Sequence, residues 1–500
     1  MSDENKMNRR DFLGAAAAAA AFTIVPRHVM GGAKFVAPSD KINCACIGTG
    51  TQGTRVMLGM LKEPQLQITT VCDPVKDDNR YLTWRQYGLR NMIRKAIDEP
   101  GWDEGVEGCR AGREPAKQIV NTWYGKQKGM NYKGCSAYAD FRQCLEKEKD
   151  LDAVIIGSTD HQHAQIAANA MKMGKHVFCQ KPMTNSVYEA RLLAETAKQT
   201  GVATQVATGP SSSRDTDLLC EMVASGVIGP VRRVHNWSNR PVWPSGVKKL
   251  PEAELIPEGF DWDLWLGPAR YRPFSYKYTH TVWRAWYDFG TGAIGDMGCY
   301  SIDVIYRVLK LGSPETVEAN GSFFCDVIDE IPTRVYNKIA HPRAMTAHFT
   351  FGARASMPPV ELFWYDGGMR PAKPPELDED GEDMPEEGIL FVGDKGKILT
   401  AFHGSKPRLI PKAKNNVYTR PPQTIERSGG HIRDWINACK GAKPARASFE
   451  VAGPVTETLC LAVMAMRTKK KLKWDPVNMK TNSQAANELI KPNYRQGWEL

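Results

Sequence analysis

Several absences set the class of this chain. It has no C-x-x-C pair and no His/Cys cluster at zinc spacing, so no metal site is expected. No Lys/Arg cluster alternates with aromatics, so nucleic acid is not expected as a partner despite a formal net charge of +10. The one basic run, "TKKKLKW" at 468–474, reads as a solvated turn. After residue 26 no segment reads as long and apolar enough for a bilayer span, which takes about 20 apolar residues. No Cys follows the first apolar run at a lipoprotein position, so no stable membrane anchor is expected. What remains, 24% charged and 42% hydrophobic residues in 500, is the composition of a globular protein too long for one core.

The N-terminus is different. Arg9 and Arg10 precede an apolar run over 12–25 that contains seven consecutive alanines and ends at Pro26. "RRDFLG" resembles the twin-arginine consensus, so residues 1–33 are expected to be a twin-arginine signal, without an A-x-A site to mark cleavage. The expected location is periplasmic or otherwise exported from a bacterium, and the expected partner on the way is the twin-arginine translocation machinery, which carries folded proteins. Of twelve cysteines, Cys44, Cys46, Cys72 and Cys179 read as buried free thiols, whereas Cys109 and Cys135 lie in a loop-rich region where they could pair.

The stretch "CACIGTGTQGTRVM" (44–57) joins a strand to a helix through a glycine turn. Gly48 suits a tight turn, Gly50 the approach of backbone amides to a pyrophosphate, and Gly53 close helix–strand packing, with Thr51 and Gln52 between them. The next strand, "LQITTVCD", ends in Asp73, twenty residues beyond Gly53, where a carboxylate can accept hydrogen bonds from a ribose 2′-hydroxyl and repel a 2′-phosphate. NAD is therefore favoured over NADP. Residues 77–135 read as an insertion of helix and surface loop with no legible motif. Strand and helix patterns then alternate to about residue 208, which implies a doubly wound parallel sheet. "STDHQHA" (158–164) and "QKPMT" (180–184) fall at carboxyl ends of its strands, which places Ser158, Asp160, His161, His163, Gln180 and Lys181 beside the nicotinamide end of a cofactor.

These motifs resemble the Gfo/Idh/MocA family of oxidoreductases. Its "EKP" element corresponds to Gln180, Lys181 and Pro182, and its "TP-x-x-x-H" element to the stretch from Ser158 to His163. Its "G-x-x-x-D-x-x-x-H" element corresponds to "GAIGDMGCY", with Gly292, Asp296 and Tyr300 in place of His. "WRAWYDFGTGAIGDMG", "GILFVGDKGKI" and the terminal "NYRQGWEL" are similar to exported members, a group that includes glucose-fructose oxidoreductase. The resemblance implies a Rossmann domain over 41–208 and a substrate domain over 209–428 built on an open, mostly antiparallel sheet with helices on one face. It also implies C-terminal helices and tail over 429–500 that return toward the first domain, and a homo-oligomer, dimer or tetramer. The acidic stretch at 376–388 reads as a solvated loop.

For the chemistry, the resemblance implies oxidation of a sugar-type hydroxyl by hydride transfer to tightly bound NAD, loaded before export. Lys181 is the expected base or relay, its pKa lowered toward neutrality by burial beside a cationic nicotinamide. Asp296 would orient substrate or Lys181, and Tyr300, a poor base at neutral pH, would donate a hydrogen bond or relay through Lys181. His280 is a candidate for the missing imidazole, Trp283 for a platform under a sugar face, and Arg284 for a donor to hydroxyls or carboxylates. A redox-assisted glycosidase or lyase working through a transient 3-keto sugar is the alternative, and a non-catalytic sugar-binding protein the second.

Overall fold

A computed structural model describes residues 40–127, 132–280 and 282–500; the expected twin-arginine signal lies outside the described residues. The first sheet is wholly parallel in the order β3-β2-β1-β4-β5-β6: β1 Ile42–Ile47, β2 Leu66–Cys72, β3 Ser136–Tyr138, β4 Ala153–Ile156, β5 His176–Cys179 and β6 Thr204–Val206. Around it lie helices α1 (Thr51–Met60), α2 (Gly88–Ile97), α3 (Arg113–Gly125), α4 (Phe141–Lys147), α5 (His163–Lys172) and α6 (Val187–Thr200). Side chains of β1 alternate between two cores. Cys44 and Cys46 join Met57, Met60 and Ile119 on one face, and Ala45 and Ile47 join Ile166 and Met171 on the other. A strand buried on both faces has to read as a continuous apolar run, as "INCACI" does.

The 77–135 region is only partly an insertion. Its second half is α3, the crossover helix between β2 and β3, with Ile119 and Val120 in the core and the Tyr124 hydroxyl accepting from the Ile68 amide at 2.9 Å. Arg113, Glu114 and Lys117 crowd the start of α3 and obscure its apolar residues in the sequence. All twelve cysteines are free, so Cys109 and Cys135 are not paired, and Cys44, Cys46, Cys72 and Cys179 are buried thiols.

After α7 (Arg214–Ala224) comes a nine-stranded sheet, ordered β15-β14-β13-β7-β12-β11-β8-β16-β17 and antiparallel except between β7 and β12. Its strands are β7 Val231–Trp237, β8 Thr316–Gly321, β11 Met345–Phe351, β12 Val360–Tyr365, β13 Gly388–Gly393, β14 Lys397–Thr400, β15 Arg408–Ile410, β16 Leu472–Asp475 and β17 Lys480–Thr481; β9 (Phe324–Ile328) and β10 (Ile331–Val335) form a separate hairpin. In β11, Met345, Ala347, Phe349 and Phe351 are buried while the residues between them are half-exposed, the alternation of a sheet covered on one side. The cover is α8 (Cys299–Leu309) and α10 (Phe449–Thr468), whose apolar side chains share that core.

α9 (His431–Cys439) sends Trp435 and Ile436 into the first domain's core, and α10 packs along α6. By length and composition α10 could cross a bilayer, contrary to the sequence reading, but 78% of its apolar window is buried inside the protein, which makes it a core helix. "TKKKLKW" is a turn only at its start, since Leu472 and Trp474 are buried on β16, between β8 and the short edge strand β17. Nor is the acidic stretch simply solvated. Glu376 pairs with Lys397 at 2.7 Å and Glu382 with Lys412 at 2.7 Å, which ties it to the basic residues of β14 and the segment after β15.

Candidate active site

The two domains enclose a cleft of about 960 Å³, open mouth included, at the carboxyl ends of β1, β2, β4 and β5. At its floor Gly48 has φ +87°, and a Cβ there would stand 2.2 Å from the Ser158 amide nitrogen. One on Gly53 would stand 1.8 Å from the Gly48 carbonyl oxygen. Backbone on backbone cannot yield, so both positions demand glycine. Gly50 is different: its added Cβ would meet only the Tyr81 ring, at 3.0 Å, and what it leaves free is room above the turn. α1 has Gly50 at its N-cap, with no side-chain cap and no acid in the first turn, so its amides and positive end face the cleft beside Thr51 and Gln52.

Asp73 holds this turn. Its carboxylate accepts from the Thr49 amide at 2.6 Å and the Val75 amide at 2.9 Å, leaving lone pairs toward the cleft. Burial pushes its pKa above the ordinary value, against the pull of those two bonds and of the nearby His280 and Arg113. The hydroxyls of Thr49, Ser158 and Thr159 are buried without hydrogen-bond partners among the described residues. A cradle that a Cβ would fill, an uncapped helix start and three orphaned hydroxyls fit a dinucleotide.

At the other end of the cleft stands an ion cluster. Lys181, just beyond β5 and 9% exposed, donates to Asp296 Oδ1 at 2.6 Å and to the Asp296 carbonyl at 2.7 Å. Arg284 Nε donates to the same Oδ1 at 2.9 Å. Asp296 lies in a π-helical turn, Ile294–Gly298, that runs into α8, so it is inside a helix and not at the helix start. Lys181 and Arg284 line the cleft and Asp296 stands behind them. Burial alone would raise the Asp296 pKa, but the two cations bring it down to about 2. For Lys181, burial works downward and the Asp296 carboxylate overcomes it, so its pKa is raised. The lowered value expected from sequence is therefore corrected: a carboxylate in contact outweighs desolvation. Asp160, beside Thr291 Oγ1 at 3.2 Å, is pushed up to about 7 by burial, with Arg284 and Lys181 pulling against it.

Other expected residues fall differently. The Lys181 ammonium lies over the face of Tyr300, 4.9 Å from the ring centroid, so the ring and not the hydroxyl meets Lys181, and burial raises the phenol's pKa. His280 is not beside Lys181. It stacks on Tyr81 with centroids 3.6 Å apart and contacts Asp78 Oδ2 at 3.3 Å, at the Asp73 end of the cleft, where a local positive φ turns the chain. His161 and His163 do not line the cleft. The ring of His161 reaches the carbonyls of Phe289 and Trp265, that of His163 the carbonyls of Pro182 and Ser158 at 2.8 and 3.1 Å, and burial lowers both to about 4. They tie loops together as neutral rings. Gln180 and Trp283 do line the cleft, the indole 7% exposed within an aromatic cluster and covered by the Arg284 guanidinium at 4.2 Å.

Sequence reasoning missed Tyr81, Trp265 and Trp498, which also line the cleft. Tyr81 lies in the region without a legible motif. Trp498 belongs to "NYRQGWEL"; its carbonyl accepts from Gln165 at 3.0 Å, which brings the chain's last residues onto the first domain.

Comparison with known proteins agrees with this geometry. The Gfo/Idh/MocA model described as oxidoreductase family, NAD-binding Rossmann fold, matches residues 110–208, and the one described as oxidoreductase family, C-terminal alpha/beta domain, matches 219–327. An uncharacterized oxidoreductase of Rhizobium meliloti is 33% identical over 297 residues, 59% of this chain and 75% of that protein. A glycosyl hydrolase family 109 protein of Shewanella pealeana is 25% identical over 240 residues, and the match spans only 44% of its length. Among solved structures, the WlbA dehydrogenase of Bordetella pertussis, in complex with NADH and UDP-GlcNAcA, superimposes with a TM-score of 0.52 at 12% identity, over 86% of this chain and 98% of that one. Aldose-aldose oxidoreductase of Caulobacter crescentus gives 0.50 at 14% identity over 87% and 99%. These last two likenesses are of fold.

Proposed function

We propose that this chain, which belongs to the NAD(H)-binding Gfo/Idh/MocA family of oxidoreductases, oxidises a hydroxyl of a sugar, cyclitol or glycoside with NAD held tightly in the glycine-turn cleft. The observation that carries this reading is the Lys181–Asp296–Arg284 cluster at the end of that cleft. Asp296 fixes two cations side by side, and the Lys181 ammonium, which gives two of its three N–H groups to Asp296, has the third as a donor to an oxygen of a polyol. Lys181 then holds the reacting oxygen in place and stabilises negative charge developing on it. It can take the hydroxyl proton only after losing its own; Asp160, with its carboxyl at about 7, is the group of this cluster that exchanges a proton near neutral pH. Bound nicotinamide supplies the hydride acceptor. Asp73, with its acceptor lone pairs, favours NAD over NADP.

A redox-assisted glycosidase or lyase without net oxidation is the second reading, supported by the family 109 relatives. Denaturing the purified protein and identifying the released nucleotide tests the cofactor. Nitrophenyl glycosides, supplied with NAD present and with NAD stripped, separate the readings: release of nitrophenol that needs NAD but accumulates no NADH favours the second. Export by the twin-arginine route and a homo-oligomer belong to the same proposal. Retention of an Arg9→Lys, Arg10→Lys variant in the cytoplasm is the expected result for the first, and a light-scattering mass above 55.7 kDa for the second.

A further inference from the structure

Beside Tyr300, outside the residues that line the cleft, stands a turn that no motif announces. The turn after β14 sends Phe402 into the core against Trp364, and Gly404, with φ +71°, packs so closely that a Cβ would stand 2.7 Å from Val304. Backbone bonds Gly404 N–H to Ala401 O and Ala401 N–H to Ser405 O, both 2.9 Å, close this turn. His403, between the two inward residues, is exposed and meets the Tyr300 ring edge to face, centroids 5.0 Å apart. Lys181 and His403 thus both lie about 5 Å from the same ring, 4.9 and 5.0 Å from its centroid. Every other histidine among the described residues has a hydrogen bond or an ion pair; the ring nitrogens of His403 have neither. Partial burial, with Lys181 and Arg240 nearby and Glu387 opposing, lowers its pKa, which leaves a neutral ring with one donor and one acceptor.

We infer that His403 is a substrate-binding residue that hydrogen-bonds a second hydroxyl of a polyhydroxylated ring whose reacting hydroxyl sits at Lys181, and so selects which ring carbon is presented. This rests on the function proposed above. A rigid turn presenting an unpaired imidazole is preorganised for such a contact, because no internal bond has to break before it forms.

The test uses the purified full-length protein with D-glucose, myo-inositol and methyl β-D-glucopyranoside as probes. For a probe that reduces bound NAD, His403→Ala raises KM about tenfold with kcat changed less than about threefold, and His403→Gln, which keeps a donor and an acceptor, recovers most of the loss. In parallel, the ring ¹³C–¹H resonance of His403, assigned by its loss in His403→Gln, shifts on addition of the bound probe. An unchanged KM in His403→Ala overturns the inference while leaving the oxidoreductase reading intact. If no probe reduces NAD, a shifted His403 resonance keeps the contact between His403 and a polyol while counting against a reacting hydroxyl at Lys181, and an unshifted one overturns the inference.

Discussion

Lys181 and Asp296, 115 positions apart in the chain, meet through two short hydrogen bonds, 2.6 Å to the side chain and 2.7 Å to the backbone carbonyl. This contact links the end of a strand in the first domain to a π-helical turn in the second. It also sets the charge of the lysine, since an ion pair in contact raises what burial would lower.

Lys181→Ala is expected to reduce hydride transfer at least about a hundredfold and to leave bound nucleotide in place, measured by single-turnover absorbance and by nucleotide release on denaturation. Unchanged turnover would remove Lys181 from the mechanism. In Asp296→Asn the attractive carboxylate is gone and burial dominates, so the lysine loses its proton at lower pH. With deprotonated Lys181 as the base, the rate rises with pH as the lysine loses its proton, and that rise should lie at lower pH in the variant than in the wild type; a rise at the same pH in both shows that Lys181 is not the titrating group.

Asp160 has the reverse of the usual carboxylate linkage. Its folded pKa is about 7 against about 4 unfolded, so from pH 4 to 7 the folded chain keeps a proton that the unfolded chain has released. Stability from this group is complete below about pH 4, falls as pH rises through 7, and is flat above. Asp160→Asn abolishes that slope, so the melting temperature of the variant relative to the wild type should be higher at pH 8 than at pH 4. A difference independent of pH would contradict the assignment.

Asp73→Ser should narrow the preference for NAD over NADP, read as the ratio of dissociation constants of nucleotide-stripped protein. Because Asp73 accepts from the Thr49 and Val75 amides, Asp73→Ala should also cost about 1–3 kcal/mol of stability in denaturant titration. An unaltered ratio of affinities would separate Asp73 from the ribose.

Gly53→Ala puts a methyl 1.8 Å from the Gly48 carbonyl, so the turn has to open. The variant should either fail to accumulate or be isolated without nucleotide. Recovery with a full complement of NAD would mean that the cradle tolerates the displacement.

How far the sequence was legible follows the range of the interactions involved. The β1–turn–α1 unit is read from neighbours: apolar runs, three glycines and an acid at a set spacing. α3 was hidden because Arg113, Glu114 and Lys117 crowd its start, ahead of the apolar residues Ile119, Val120 and Tyr124 that the sheet covers. The rings of His161 and His163 sit at strand ends, as the motif implies, yet bond to carbonyls brought in from elsewhere in the chain. His280 follows the same logic, captured by Tyr81 from a segment with no motif.

By itself the sequence determined the local chemistry of this protein: where the chain can turn with positive φ, which strands are buried on both faces, and which acids and bases fall at strand ends. Each of these depends on a residue and its near neighbours. Only the tertiary structure decided that Asp296 pairs with Lys181 and Arg284, that Asp160 titrates near neutrality and that His403 is left with free ring nitrogens. The reason is that a charge state is set by distances of a few ångströms between chain-distant groups and by how much water the fold removes around them.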